Sequence, residues 1–195
     1  MPATLRWTLL IGVAACAAEA PPVAEETAPL PKTLCEVAQQ PSGAPDTVMA
    51  LIEIARGGRA KYEFDAATGR LVVSRMLPAT HPYPVAYGTF PCTLAGDGDP
   101  LDLLLLTDVA VEPGVLVPVR PIGMMRMRDR GDEDDKLVVV PVGDPREAIS
   151  DAERVTLETF FRTYKGPDAD VRVGPWFPAD SARAQLRAAM TAARQ

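Results

Sequence analysis

The stretch Asp97-Gly98-Asp99-Pro100-Leu101-Asp102, running straight into Leu103-Leu104-Leu105-Leu106, constrains this chain more than any other. The leucine run reads as a buried strand, and a cluster of three repelling carboxylates at its mouth costs stability. Opposite charge nearby, most compactly a divalent cation, offsets that cost. Gly98 lets the backbone turn tightly and Pro100 stiffens it, so the side chains can converge. The plainer reading is a solvated acidic turn between strands. An EF-hand loop is excluded, because Leu101 and Asp102 stand where that loop needs a ligand and its turn glycine.

A second acidic run, Asp129-Arg130-Gly131-Asp132-Glu133-Asp134-Asp135-Lys136, precedes another apolar strand, Leu137-Val138-Val139-Val140. Two acidic mouths can face one cavity. Basic and phenolic residues recur around them: Lys61-Tyr62-Glu63, Arg75, Tyr83, Tyr87 and Tyr164-Lys165. Carboxylates suit hard cations such as magnesium, and Lys, Arg and Tyr donors suit phosphate oxygens. The pattern describes a site for a metal-complexed polyanion. The single histidine, His81, stands beside Pro82 and reads as a loop residue.

With these motifs in order, the chain resembles the soluble family I inorganic pyrophosphatases. Their signature is an acidic DxDPxD segment entering a strand, here Asp97 to Leu103. The likeness runs from about Val48 through the last helix. Ile52-Glu53-Ile54 and Lys61-Tyr62-Glu63-Phe64-Asp65 match the first acidic and basic strands, and Arg75 ends the next. Tyr83-Pro84 with Tyr87-Gly88 match the tyrosine loop, Asp129, Asp134 and Lys136 the second acidic loop, and Phe160-Phe161 with Tyr164-Lys165 the closing helix. The ordered set is far more specific than DxDPxD alone. Departures are Arg130 where many members carry a second acid, a slightly short connection from Glu53 to Lys61, and Gly166-Pro167-Asp168 after Lys165.

The resemblance implies magnesium-dependent hydrolysis of pyrophosphate. Asp97, Asp102 and Asp134 are expected to hold the ions that activate water, with Asp129 and Glu63 supporting further ions. Asp99 is expected to take or orient the water's proton. Lys61, Arg75, Tyr87, Lys136, Tyr164 and Lys165 hold phosphates, and Glu53 and Tyr83 orient their neighbours. It also implies a compact homo-oligomer. Two other classes stay open: an exported barrel that binds phosphate or metal without turnover, and a tethered envelope protein whose acidic loops are surface decoration.

The elements suggest α+β, with strands first and helices last. Strands are expected at Val48–Ile54, Lys61–Asp65, Arg70–Arg75, Leu101–Leu106, Val115–Val119 and Lys136–Val140. Ala66-Ala67-Thr68-Gly69 makes the second and third a hairpin, and Pro118 demotes part of its run to an edge or bulge. Ser150-Asp151-Ala152-Glu153 is a capping box opening a helix with Leu157, Phe160, Phe161 and Tyr164 on one face. A final helix carries Ala182, Leu186, Ala189 and Met190, with Asp180 as its expected N-cap. Five or six strands closing on themselves would make a small β-barrel. The resemblance implies the oligonucleotide-binding (OB) type, with two C-terminal helices.

At 195 residues and 47% apolar, one domain with its own core is expected over 45–195. A formal charge of −6 without a basic tract argues against a nucleic-acid partner. Residues 1–16 read as an export signal: a basic start, a short apolar run from Trp7 to Ala15, then Val13-Ala14-Ala15-Cys16, which resembles a bacterial lipoprotein box. Ordinary cleavage near Ala15 to Ala20 is the alternative. A Pro-rich tether and extension covers 17–44. The location expected is the periplasmic face of the membrane, held only through lipid on Cys16, or the soluble periplasm. Cys35 and Cys92 then remain as an even pair, either a disulfide or two unpaired small residues. Replacing Cys16 by Ser should abolish lipid attachment and leave the domain folded; mass spectrometry of the mature N-terminus checks this, and an unmodified N-terminus beyond Cys16 in wild type would contradict it.

Overall fold

A computed structural model describes residues 33–194. The expected signal and most of the Pro-rich tether lie outside the described residues. In chain order the elements are α1 (Leu34–Val37), β1 (Val48–Ile54), β2 (Ala60–Asp65), β3 (Arg70–Met76), β4 (Ala86–Thr89), β5 (Asp102–Leu105) and β6 (Leu116–Asp129). There follow β7 (Asp132–Glu133), β8 (Lys136–Pro141), α2 (Asp151–Thr163), β9 (Val171–Pro178) and α3 (Ala179–Ala192).

Five strands are hydrogen-bonded in a ring. β1 pairs β4, β4 pairs β5, β5 pairs β8, β8 pairs β6, and β6 returns to β1. All of these pairs are antiparallel except β5–β8, which is parallel with Asp102 opposite Lys136 and Leu103 opposite Leu137. β2 and β3 form the expected hairpin, with Phe64 opposite Leu71 and Gly69 at φ 64° in the turn. The mixed α+β reading therefore holds, with a ring of five strands and helices at the C-terminal end.

Both faces of the ring strands are covered, which is why their sequences are runs rather than alternations. Leu104, Val138 and Val140 pack in one core with Leu157, Phe160 and Phe161 of α2. Leu103, Leu105, Leu137 and Val139 pack in the other with Ala182, Leu186 and Ala189 of α3. The α2 capping box forms as expected: Ser150 Oγ accepts the Glu153 N–H, and the Glu153 carboxylate accepts the Ser150 N–H at 2.8 Å.

Four expectations are corrected. β4 and β9 were not foreseen as strands. Ala86–Thr89 is only four residues, and Val171–Pro178 carries Gly174, Pro175 and Pro178, so neither shows a clean strand pattern. β6 runs on to Asp129 past Pro118 and Pro121. Pro118 sits opposite Met49 where β8 has not yet joined, and the register shifts between Pro121 and Gly123. Asp180 is not the N-cap of α3: Pro178, extended at the end of β9, holds that place, and Asp180 stands in the first turn beside Arg183 at 3.1 Å. There its charge still complements the helix dipole.

Cys35 and Cys92 form a disulfide that closes a separation of 57 residues. On chain-entropy grounds a loop of that length is stabilised by about 4 kcal/mol when closed. Gly88 shows how tightly the ring is drawn at the site end of β1 and β4: an added Cβ would lie 2.0 Å from the Leu51 carbonyl oxygen. Because that neighbour is backbone, it cannot swing aside. Gly88→Ala should cost about 3 kcal/mol or more, read as a lower denaturant midpoint at unchanged slope; an unshifted midpoint would show that the ring yields there.

Candidate active site

One cavity of about 450 Å³ opens at the end of the ring where β5 and β8 begin. Thirteen of the fourteen residues expected at the site line it. Glu53 comes from β1, Lys61 and Glu63 from β2, Arg75 from β3 and Tyr87 from β4. Asp97, Asp99 and Asp102 come from the first acidic segment, Asp129, Asp134 and Lys136 from the second, and Tyr164 and Lys165 from the end of α2. The exception is Tyr83, which is 1% exposed and lies behind the wall. Its ring packs 4.7 Å from Phe160 and 5.3 Å from Tyr87, so it props the tyrosine whose hydroxyl faces the cavity. His81 is in a loop away from the cavity, with Nδ1 2.8 Å from the Thr80 hydroxyl.

Two features explain why these groups converge. The parallel register of β5 and β8 sets Asp102 beside Lys136, and backbone contacts tie the Asp97 loop into a compact turn. In that turn the Ala95 N–H donates to the Asp99 carbonyl at 2.7 Å, and the Asp99 N–H to the Asp97 carboxylate at 3.1 Å. Gly98 adopts φ 92°, which a side chain would resist.

The electrostatics are those of crowded opposite charges. Lys136 is 1% exposed and its ammonium sits between the Asp102 and Asp134 carboxylates. Lys165 pairs with Asp129, and Lys61 with Glu63 at 2.8 Å. The Lys61 and Lys136 ammonium groups each lie 5.7 Å from the centre of the Tyr87 ring. Burial works to raise the Asp102 carboxyl, but Lys136 overrides it and holds the group below the ordinary range. Burial pushes Asp134 up to about 6 against the pull of Lys136, with the Asp102 charge adding to the rise. Asp99 is raised by burial and then by Asp97. Burial pushes Glu53 up to about 8, with Lys61 opposing.

Among the described residues, no three Asp, Glu, His or Cys side chains stand close enough to enclose a metal unaided, since lysines lie between the carboxylates. The donor chemistry nevertheless fits a hard divalent ion. The lining carboxylates offer oxygen only, and Asp129 Oδ1 is buried with no hydrogen-bond partner. Three lining residues could have been foreseen less readily. Asp132 is one of several acids in the second acidic run with nothing local to single it out, while nothing about Thr89 or Leu34 marks them as cavity residues.

This ring of strands, with carboxylates facing lysines, an arginine and tyrosines in one cavity, defines an enzyme for a small, highly charged substrate. Residues 50–194 match the model of the inorganic pyrophosphatase family. The inorganic pyrophosphatase of Gluconobacter oxydans is 38% identical over 161 residues, covering 77% of this chain and 93% of that protein. A soluble inorganic pyrophosphatase of Oryza sativa is 38% identical over 148 residues, covering 72% and 69%. The crystal structure of the Thermus thermophilus inorganic pyrophosphatase superposes with a TM-score of 0.76 at 34% identity, covering 81% of this chain and 97% of that one. The chain belongs to family I of the inorganic pyrophosphatases and is an inorganic diphosphatase. Members of that family use divalent metal ions, generally magnesium.

Glu53 gives a test of the electrostatics independent of turnover. Its carboxyl is raised on folding, so between its ordinary value of 4.5 and about 8 the folded state holds a proton that the unfolded state has released. Stability therefore falls as pH rises through that window. In chelator, Glu53→Gln should flatten this fall and melt at a higher temperature than wild type at pH 8. Parallel melting profiles for the two proteins would contradict it.

Proposed function

We propose that the chain hydrolyses inorganic pyrophosphate to two phosphates with magnesium at this cavity, a water oxygen bonding to one phosphorus as the bridging P–O bond breaks. The observation that carries this reading is the single cavity in which carboxylates of two loops face Lys61, Arg75, Lys136 and Lys165. Asp97, Asp102, Asp134, Asp129 and Glu63 would hold the magnesium ions. Bound there, the ions supply Lewis-acid polarisation of water and of phosphoryl oxygens.

The side chains supply the rest. Asp99 accepts the proton from water; its raised affinity for a proton suits a base that must hold one briefly. Lys61, Arg75, Lys136 and Lys165 neutralise phosphate oxygens, while the hydroxyls of Tyr87 and Tyr164 donate to them. Burial raises both phenols, so each keeps the proton it donates. Such fixed donors lose little on reaction because they are already oriented, Tyr87 by Tyr83 and Tyr164 by Phe160 at 5.4 Å.

The same proposal extends to architecture and place. Ring closure through β1–β6 supports an OB-type barrel, and the family resemblance supports a homo-oligomer. The basic start, apolar run and Cys16 support export with lipidation or cleavage. The Cys35–Cys92 disulfide supports an oxidising compartment.

Phosphate should be released from pyrophosphate in magnesium and not in excess chelator; no release at any magnesium concentration would favour a binding barrel without turnover. Asp99→Asn should lower kcat by roughly 10²–10⁴-fold with little change in metal affinity. Asp102→Asn should weaken metal binding and turnover together, and equal calorimetric metal affinities for that variant and wild type would refute its role as ligand.

A further inference from the structure

The match to the family model begins at residue 50, yet Leu34 lines the cavity. Leu34 opens the short helix α1, and two fastenings hold that helix in place. Its neighbour Cys35 is disulfide-bonded to Cys92. The Gln40 amide donates to the carbonyls of Met49 at 3.1 Å and Pro91 at 2.8 Å, and accepts the Met49 N–H at 2.8 Å. Both fastenings reach Pro91-Cys92, where the chain begins its run to Asp97 and Asp99. That run is itself braced: Thr93 Oγ1 accepts the Leu101 N–H at 2.9 Å, and the Leu94 N–H donates to Ala189 at 3.1 Å. The α1 segment that carries Leu34 therefore cannot leave the cavity without either breaking the disulfide or moving the acidic loop.

Its chemistry is out of keeping with the site. Apart from Leu34, Phe64 and Pro100, every lining side chain carries a charge or a hydroxyl. An aliphatic surface gives a phosphoryl oxygen no donor and no countercharge, so a group pressed against it loses water without replacement. Pyrophosphate needs only the charged part of the cavity, whereas a longer phosphoanhydride must place a further charged group in the same space of about 450 Å³, part of whose lining is Leu34. We propose that Leu34, fixed by the Cys35–Cys92 disulfide, is a specificity-determining residue that closes the pyrophosphatase cavity against longer phosphoanhydrides. The inference rests on the pyrophosphatase reading above.

The test measures phosphate release by the full chain in magnesium from pyrophosphate and from inorganic tripolyphosphate. The readout is the ratio of the two kcat/KM values. A smaller folded fraction lowers both values alike and leaves the ratio unmoved. In Leu34→Ala the preference for pyrophosphate should fall about tenfold, the scale on which apolar pocket contacts discriminate, and Leu34→Met should restore most of it. Cys35→Ser combined with Cys92→Ser, or reduction of wild type by dithiothreitol, should lower the ratio similarly. Adding Leu34→Ala to the double serine variant should change it little further. An unchanged ratio in Leu34→Ala, or in both the serine variant and the reduced protein, overturns the inference while the pyrophosphatase reading stands. Wild type that releases no phosphate from pyrophosphate overturns both.

Discussion

The rest of the site depends on one buried ammonium. Lys136 begins β8 opposite Asp102 at the head of β5, and its charge lies between Asp102 and Asp134. Removing three charges from water is costly, and pairing returns that cost only in part; taking away one partner of such a group typically costs about 3–5 kcal/mol. The arrangement therefore penalises any register that parts them. A one-residue slip between β5 and β8 would turn Lys136 and Asp102 to opposite faces. It would also carry Leu103 and Leu104 into each other's core, so charge pairing and apolar packing specify the same register.

Around that centre the protein tolerates repulsion that a purely structural loop would avoid. Asp134 and Glu53 are pushed toward protonation near neutral pH, and a buried oxygen of Asp129 has no partner. These groups destabilise the chain locally, and the surroundings hold them in place. Tyr83 packs behind Tyr87, Phe160 and Phe161 pack behind Tyr164, and α2 is fixed at its start by the Ser150–Glu153 box. The stability of the two apolar cores is what lets the charged end of the ring remain strained by its own charge.

Much of this was legible in the linear sequence because the chemistry is dense and local. DxDPxD entering a leucine run, and DEDDK entering LVVV, each put charge and burial within a few residues of one another. The Leu157, Phe160, Phe161 and Tyr164 spacing gave α2 and its buried face. What escaped was nonlocal or masked by proline. β9 is held by its ladder to β6, from Asp129–Val171 to Gly123–Pro178, rather than by intrinsic strand preference. β6 continues past Pro118 because only its N–H is missing there: its carbonyl still accepts the Val142 N–H at 3.0 Å, just beyond the end of β8. Thr89 reaches the cavity from a four-residue strand with no distinctive pattern, and Leu34 from a short helix whose marks, the Thr33–Glu36 capping box and Cys35, say nothing of a cavity.

By itself the sequence determined the inventory of the site: which carboxylates, which cations and phenols, and which apolar runs must carry them. Local spacing suffices for that, since a charged loop fused to a buried strand has few alternatives. Only the tertiary structure decided who faces whom. It set the Tyr83 ring against Tyr87 and Phe160, joined Cys35 to Cys92 across 57 residues, and brought Leu34 to the cavity. Those outcomes depend on ring closure and on contacts between distant segments, whose energies belong to pairs of surfaces and so are written in neither segment alone.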